Sequence, residues 1–334
     1  MEGAAMAETR HVGFLLLPKF SMLAFTSAVE PLRVANRLAD RPLYRWTMIA
    51  PAATVSASNG MRLLVDHALD QPLPDVEVPD LLIVCAGFDP AEAHGPAVAA
   101  LLRRAERRGA ILGAIDTGSF ILGWAGLLDG YEATVHWECL DSFREQFPQV
   151  SVQPCLFEID RRRMTCAGGT AALDMMLHMV RLDAGYRLAA AVSEQFIHAG
   201  IRDSHSDQRL SIPSRYGIAH PKLARVIRLM EEHLEEPLSL DGLALRVGLS
   251  LRQLERLFQG GFGQSPQRYY VALRLQRARS LVRYSIQPLA EIAVACGFQS
   301  YEHFSRSYRR SAGLSPQQDR HTAYSAADGP TISR

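Results

Sequence analysis

SLDGLALRVGLSLRQLERLF, residues 239–258, and PLAEIAVACGFQSYEHFSRSY, residues 288–308, repeat one pattern near the C-terminal end of the chain. In each, apolar residues at helical spacing (Leu240, Leu243, Ala244, Val247; Leu289, Ile292, Ala293, Cys296) stop at a glycine, Gly248 or Gly297. Glycine permits the left-handed turn that ends a helix. Leu249 or Phe298 follows, and then Ser250 or Ser300, a favoured N-cap that starts the next helix. That helix sets Leu254, Leu257 and Phe258 on its apolar face in the first copy, and Phe304 and Tyr308 in the second. Two helices joined through a glycine turn predict a helix-turn-helix, whose second helix can enter a DNA major groove. One such hairpin is a common structural unit, so the repetition is what gives the pattern its weight.

Residues 265–284 read as one long helix with Pro266 in its first turn, a spacer between two readers of successive major-groove faces roughly 34 Å apart. On the second helices, the residues not assigned to the core are Arg252, Gln253 and Arg256, and Glu302, His303 and Arg306. Arginine pairs with guanine and glutamine with adenine at base edges. Arg268, Arg274, Arg277, Arg309 and Arg310 are expected on phosphates, where they set register. The charge is asymmetric: residues 217–320 carry 15 Lys and Arg against 9 Asp and Glu, whereas residues 1–216 carry 20 against 25. A basic module joined to an acidic one fits a double-stranded-DNA-binding half attached to something else.

These residues carry a resemblance. LALRVGLSLRQLERLF, GQSPQRYY, LRLQRARSLV, IAVACGFQSYEHFSRSYRR and GLSP at 313–316 make the stretch from Leu223 to Arg320 similar to the AraC/XylS-type DNA-binding domain. Paired half-sites for such readers imply a homodimer, and the resemblance implies RNA polymerase as a further partner.

The 334 residues suffice for two or three domains, and no apolar run approaches the roughly 20 residues that span a bilayer. The first ten residues lack a signal peptide's apolar core and read as a frayed tail, with Met6 a possible start. Cys85, Cys139, Cys155, Cys166 and Cys296 show no C-x-x-C pairing and read as buried thiols in a reducing cytoplasm. Apolar runs at 11–18, 44–50, 61–65, 79–85 and 110–115 predict strands, with a hairpin across Arg161–Arg163. Between them, 21–38, 93–108, 119–124, 136–147, 170–182 and 185–196 predict helices, the first kinked or broken at Pro31. This alternation predicts an α/β domain with a mainly parallel sheet covered on both faces, followed by an all-α domain with two helix-turn-helix units. The expected boundaries are 10–200 for the first domain, 201–221 for a linker, 222–320 for the DNA-binding domain and 321–334 for a disordered tail.

Ligand sites in such sheets lie beyond the C-terminal strand ends. The strand at 110–115 runs into Asp116-Thr117-Gly118 and then a helix, the arrangement of a nucleophile elbow. The segments GFLLLPKFSMLAFTSAVEPLRVAN, LLIVCAGFD, DTGSFILGWAGLLDGYEATVHWE and TCAGGTAALDMMLHMV resemble the PfpI/class I glutamine-amidotransferase-like domain, in the GlxA-like branch fused to AraC-type domains. The resemblance implies a ligand-responsive regulator, with no cofactor or metal expected. Enzymes of that superfamily carry cysteine at the elbow; this chain has Asp116, which argues against thiol catalysis. His136 would be the partner base in an active relative, and is expected here to orient ligand or to pack.

A pocket with fixed charge remains. Glu30 falls where the superfamily places an acidic residue near the elbow, and Phe20 and Trp137 supply aromatic faces. With Asp116, Thr117 and His136 they are the candidate ligand residues. Carboxylates and aromatic faces hold quaternary ammonium groups. The SAVEPLR, IDTG and HW segments are shared with GlxA-like regulators responsive to glycine betaine, carnitine and related methylated amines. The expected function is therefore a transcription regulator, an activator of amine or amino-acid catabolism genes, sensing a small cationic metabolite. The alternatives are a constitutive DNA-binding protein whose first domain only dimerises, and a DNA-tethered amidase-like enzyme.

Overall fold

A computed structural model describes residues 9–70, 78–218 and 220–325. These divide into two compact units, 9–208 and 209–325.

The first unit is built on a sheet. In chain order its elements are β1 (Arg10–Leu16), α1 (Met22–Ala39), β2 (Tyr44–Ala50), β3 (Thr54–Ser56), β4 (Arg62–Leu64), β5 (His67–Ala68) and β6 (Leu81–Cys85). There follow α2 (Pro90–Ala93), α3 (Pro96–Arg107), β7 (Ile111–Ile115), α4 (Gly118–Trp124), β8 (Glu132–Ala133), α5 (Leu140–Gln146) and β9 (Ser151–Val152). β10 (Phe157–Asp160), β11 (Arg163–Cys166), α6 (Ala171–Ala184) and α7 (Tyr186–Gln195) complete it. Among the described residues the main sheet has seven strands in the order β10-β11-β7-β6-β1-β2-β5, all parallel except the β10–β11 hairpin. Its central strands β6 and β7 are apolar throughout because helices cover both faces. Val12, Phe14 and Leu16 pack in one core with α1, α6 and α7, while α3 and α4 lie on β6 and β7.

Sequence and structure differ at several elements. Helix α1, capped by the Ser21 hydroxyl, runs unbroken through Pro31. The missing amide removes one hydrogen bond, but Pro31 belongs to a buried face with Ala24, Phe25, Ala28, Leu32 and Ala35, and that packing outweighs it. The helix expected at 93–108 begins at Pro96, after Gly95, and Ala93 instead ends the short α2. The stretch expected as a linker, 201–221, is divided between the units: residues up to Gln208 lie on the first, and α8 (Ile212–Tyr216) belongs to the second.

The second unit continues with α9 (Pro221–Glu232), α10 (Leu240–Arg246), α11 (Leu251–Phe262), α12 (Pro266–Tyr284), α13 (Leu289–Ala295), α14 (Tyr301–Ala312) and α15 (Pro316–Ser325). The long helix α12 serves two cores. Tyr269 and Tyr270 in its first turns join Leu223, Val226, Leu243, Leu254 and Phe258. Leu275, Ala278, Leu281 and Val282 further along join Ile292, Phe298, Phe304 and Tyr308. Each helix-turn-helix thus has its own core on one shared spine. The tail expected at 321–334 is helical as far as Ser325, where α15 ends. Residues 326–334 and 1–8 lie outside the described residues.

Candidate functional site

The sheet puts four turns together. Beyond β1, β6 and β7, non-glycine residues take left-handed backbone conformations: Lys19 at φ 63°, Asp89 at 53° and Asp116 at 61°. Beyond β11, Gly168 and Gly169 do the same, at 92° and 55°. Such conformations cost free energy in non-glycine residues, and they gather at functional sites. Phe20 bridges to Gly87, the Thr117 hydroxyl donates to the Gly87 carbonyl, and the Asp116 amide donates to the Cys166 carbonyl. A Cβ built on Gly168 would lie 2.9 Å from the Asp116 Cβ, so only glycine leaves the Asp116 side chain its place.

Asp116 is walled by protein on nearly every side yet keeps some solvent-accessible surface. Burial pushes its pKa from the ordinary 3.8 up to about 7; a hydrogen bond from the Thr117 amide opposes the shift, and the nearby Glu138 charge adds to it. His136 is less enclosed, its side chain 32% exposed; burial lowers its pKa and the Glu138 charge opposes the shift. Its ring lies 5.5 Å from that of the half-buried Trp137.

Three expected ligand residues are placed otherwise. Phe20 has no accessible surface and stands edge-on to Phe25, so it is core and lines no space a ligand could fill. Glu30 lies in the third turn of α1, ion-paired to Arg33 at 2.7 Å and 39% exposed. The acidic charge acting on Asp116 is Glu138, not Glu30. The Thr117 side chain is buried in its bond to Gly87, leaving its backbone amide to face the carboxyl. Asp116, His136 and Trp137 remain, joined by Glu138 and Gly168. Glu138 had a signal, standing beside His136 and Trp137 in HWE. The four cysteines of this unit are buried; burial raises the Cys85 thiol, and pushes Cys155 and Cys166 up to about 12.

In the second unit the two turns form as expected. The Ser250 and Ser300 hydroxyls cap α11 and α14, and both turn glycines have positive φ. Arg252, Arg256, Arg268, Glu302, His303, Arg306, Arg309 and Arg310 are exposed. Gln253 is exposed but completes a capping box, its side-chain oxygen accepting from the Ser250 amide. Only its amide nitrogen remains to donate to a base. Arg274 and Arg277, expected on phosphates, bond to carbonyls within the unit. Arg274 is buried, donates to the Cys296 and Gly297 carbonyls, and stacks 4.1 Å over Phe298. Arg277 donates to the Ala295 carbonyl. Both satisfy carbonyls that the end of α13 leaves open, a place where cations are favoured.

Residues 12–182 match the DJ-1/PfpI family and residues 243–322 match a helix-turn-helix domain. The HTH-type transcriptional regulator CdhR of Pseudomonas aeruginosa is 50% identical over 308 residues, covering 92% of this chain and 90% of that protein. The regulator GbdR of the same species is 46% identical, over 92% of this chain and 83% of its own length. This chain is an AraC-type transcriptional regulator with a DJ-1/PfpI domain. A crystal structure of an AraC family transcriptional regulator from Pseudomonas putida superposes on 56% of the chain and 99% of its own, at 32% identity and a TM-score of 0.51. DNA is thus the partner of this AraC-type regulator's helical unit. Among the described residues no helix is long and apolar enough to cross a membrane. Nor do any three or more His, Cys, Asp or Glu converge so as to hold a metal ion.

Proposed function

We propose that the first unit is the sensing and dimerising half of the regulator, and that the elbow at Asp116 receives a small cationic metabolite of the methylated or quaternary amine class. The observation that carries this is Asp116 itself: a carboxyl held in a left-handed elbow, enclosed but accessible, with Glu138 acting on it and His136 and Trp137 adjoining Glu138 in the chain. A cation supplies the charge that would stabilise the ionised carboxylate, and an aromatic face suits a methylated ammonium. The elbow holds no thiol, and burial keeps the Cys85 and Cys166 thiols protonated, which speaks against thiol catalysis at this position. Binding changes the engagement of the DNA-binding unit with paired half-sites and with RNA polymerase, so that a cytoplasmic homodimer activates amine or amino-acid catabolism genes. Such control requires the ligand to favour one of two conformations.

The test is the melting temperature of the full chain against glycine betaine, dimethylglycine, sarcosine, carnitine, choline, arginine and neutral amides. A ligand that binds the native state raises it in proportion to RT ln(1 + [L]/Kd). One methylated amine should stabilise the wild type but not Asp116→Asn, a substitution that tolerates the left-handed backbone. Stabilisation by arginine or a neutral amide alone removes the quaternary-ammonium assignment. No stabilisation by any of them favours a first unit that only dimerises.

A further inference from the structure

Thr134 has no accessible surface, yet each of its polar groups is engaged. Its amide donates to the Thr165 hydroxyl at 2.8 Å, and its carbonyl accepts from the Ser119 hydroxyl at 2.7 Å. Its own hydroxyl donates to the Cys155 carbonyl and accepts from the Gln208 side-chain amide, each at 3.0 Å. Ser119 lies in the first turn of α4, directly after the Asp116 elbow. Thr165 precedes Cys166, whose carbonyl holds the Asp116 amide. A valine would fill the place of Thr134 without the cost of burying a hydroxyl. The four bonds tie the elbow, β11 and the β10 approach to one point.

Gln208 completes the connection. Besides Thr134, its amide nitrogen reaches the Val135 carbonyl at 3.0 Å and the Cys155 carbonyl at 2.7 Å. Val135 immediately precedes His136. Gln208 is also the last residue of the first unit, and the next residue, Arg209, belongs to the second, where it faces Glu231 at 3.7 Å. The strap that ends at Gln208 is pinned at its start as well. The Arg202 guanidinium grips the fully buried Asp174 and donates to the Thr170 hydroxyl at 2.8 Å, just beyond the Gly168-Gly169 turn that abuts Asp116. Between the two pins, the Leu156 amide donates to the Ser204 carbonyl and Asp207 bridges to Cys155.

We infer that Thr134 and Gln208 form a relay, in which Gln208 is a positioning residue that passes the state of the Asp116 elbow to the segment entering the DNA-binding unit. The strap joins the two loops that flank Asp116. A shift of either loop therefore loads the Gln208 bonds. Sensing at Asp116 is the part that rests on the proposed function; the relay is testable with no ligand.

The experiment is hydrogen exchange of the full chain at pH 8, read on peptides spanning residues 199–212. Asp116→Asn removes the charge at the elbow and should change exchange of the strap by roughly three- to thirtyfold, the range that mutations on a coupled path cover. In a Gln208→Met background the same substitution should leave strap exchange unchanged. Thr134→Ser, which keeps the hydroxyl, should preserve the response, and Thr134→Val should abolish it. This pair carries the test if Gln208→Met does not fold. A purely structural Gln208 would raise strap exchange when replaced, but leave the size of the Asp116→Asn response intact. That outcome overturns the relay, as does a wild-type strap indifferent to Asp116→Asn. Neither bears on ligand binding, which the melting temperatures decide separately.

Discussion

Asp116 shows how one side chain can set a pH dependence. Burial raises its pKa to about 7, so the native state holds the proton more tightly than the unfolded chain does. Its ionisation therefore costs native stability progressively as pH rises from 3.8 towards about 7. A bound cation favours the ionised form, so affinity should rise about tenfold between pH 6 and pH 8, as the ionised fraction does. Calorimetric titration with the amine that raises the melting temperature measures this, and a flat profile would place the cation away from Asp116. On the DNA face the corresponding residue is Arg306, exposed on α14. Arg306→Ala should cost about 1–3 kcal/mol at one base position, seen as relaxed preference there when operator variants are compared. Equal weakening on every sequence would make Arg306 a phosphate contact.

At the scale of elements, the two helix-turn-helix units look alike in sequence but differ in how tightly they are built. A Cβ on Gly248 would meet the Lys222 Nζ at 3.7 Å, ordinary contact. A Cβ on Gly297 would strike the Leu234 carbonyl oxygen and Pro237 Cγ, both at 2.6 Å. Gly248→Ala should therefore cost only the left-handed conformation, about 1 kcal/mol. Gly297→Ala should cost about 2–4 kcal/mol, since the backbone oxygen cannot give way. Denaturant titration separates the two, and equal costs would mean the second turn relaxes. The arginines of α12 divide in the same way. Arg274→Ala strips two carbonyls and a ring of their partner, and should destabilise by about 2–4 kcal/mol. Arg268→Ala should leave unfolding unchanged and lower the salt dependence of DNA binding by about one counterion. A stability loss at Arg268, or none at Arg274, would reverse these roles.

For the whole molecule the consequence is modular. The sheet core of the first unit and the two helical cores along α12 comprise different residues, and among the described residues the boundary falls between Gln208 and Arg209. Heating should resolve two transitions in calorimetry. The stabilising amine should raise the one that belongs to the first unit, and cognate DNA the other. A single transition that both ligands shift equally would mean that the units unfold as one cooperative body. The charge division, acidic residues prevailing to Tyr216 and basic ones beyond it, keeps attraction for DNA on the second unit.

The helix-turn-helix pair was legible from residues 239–308 alone because everything that makes it is local: serine caps, apolar spacing and a glycine at each turn. The alternation of strands and helices, and the elbow at Asp116, were legible for the same reason. The acidic partner of Asp116 was not. Glu30 and Glu138 are both far from Asp116 along the chain or beyond its turn, and only the meeting of loops above the sheet selects Glu138. Phe20 went to the core, Arg274 and Arg277 to the end of α13, and residues 201–208 to the first unit. Each of these outcomes depends on a partner supplied by another element, as the Arg202 grip on Asp174 does across 28 positions of sequence. Local pattern determines which elements form. Where a charge finds its partner, and which aromatic ring is left facing solvent, is decided only when those elements pack.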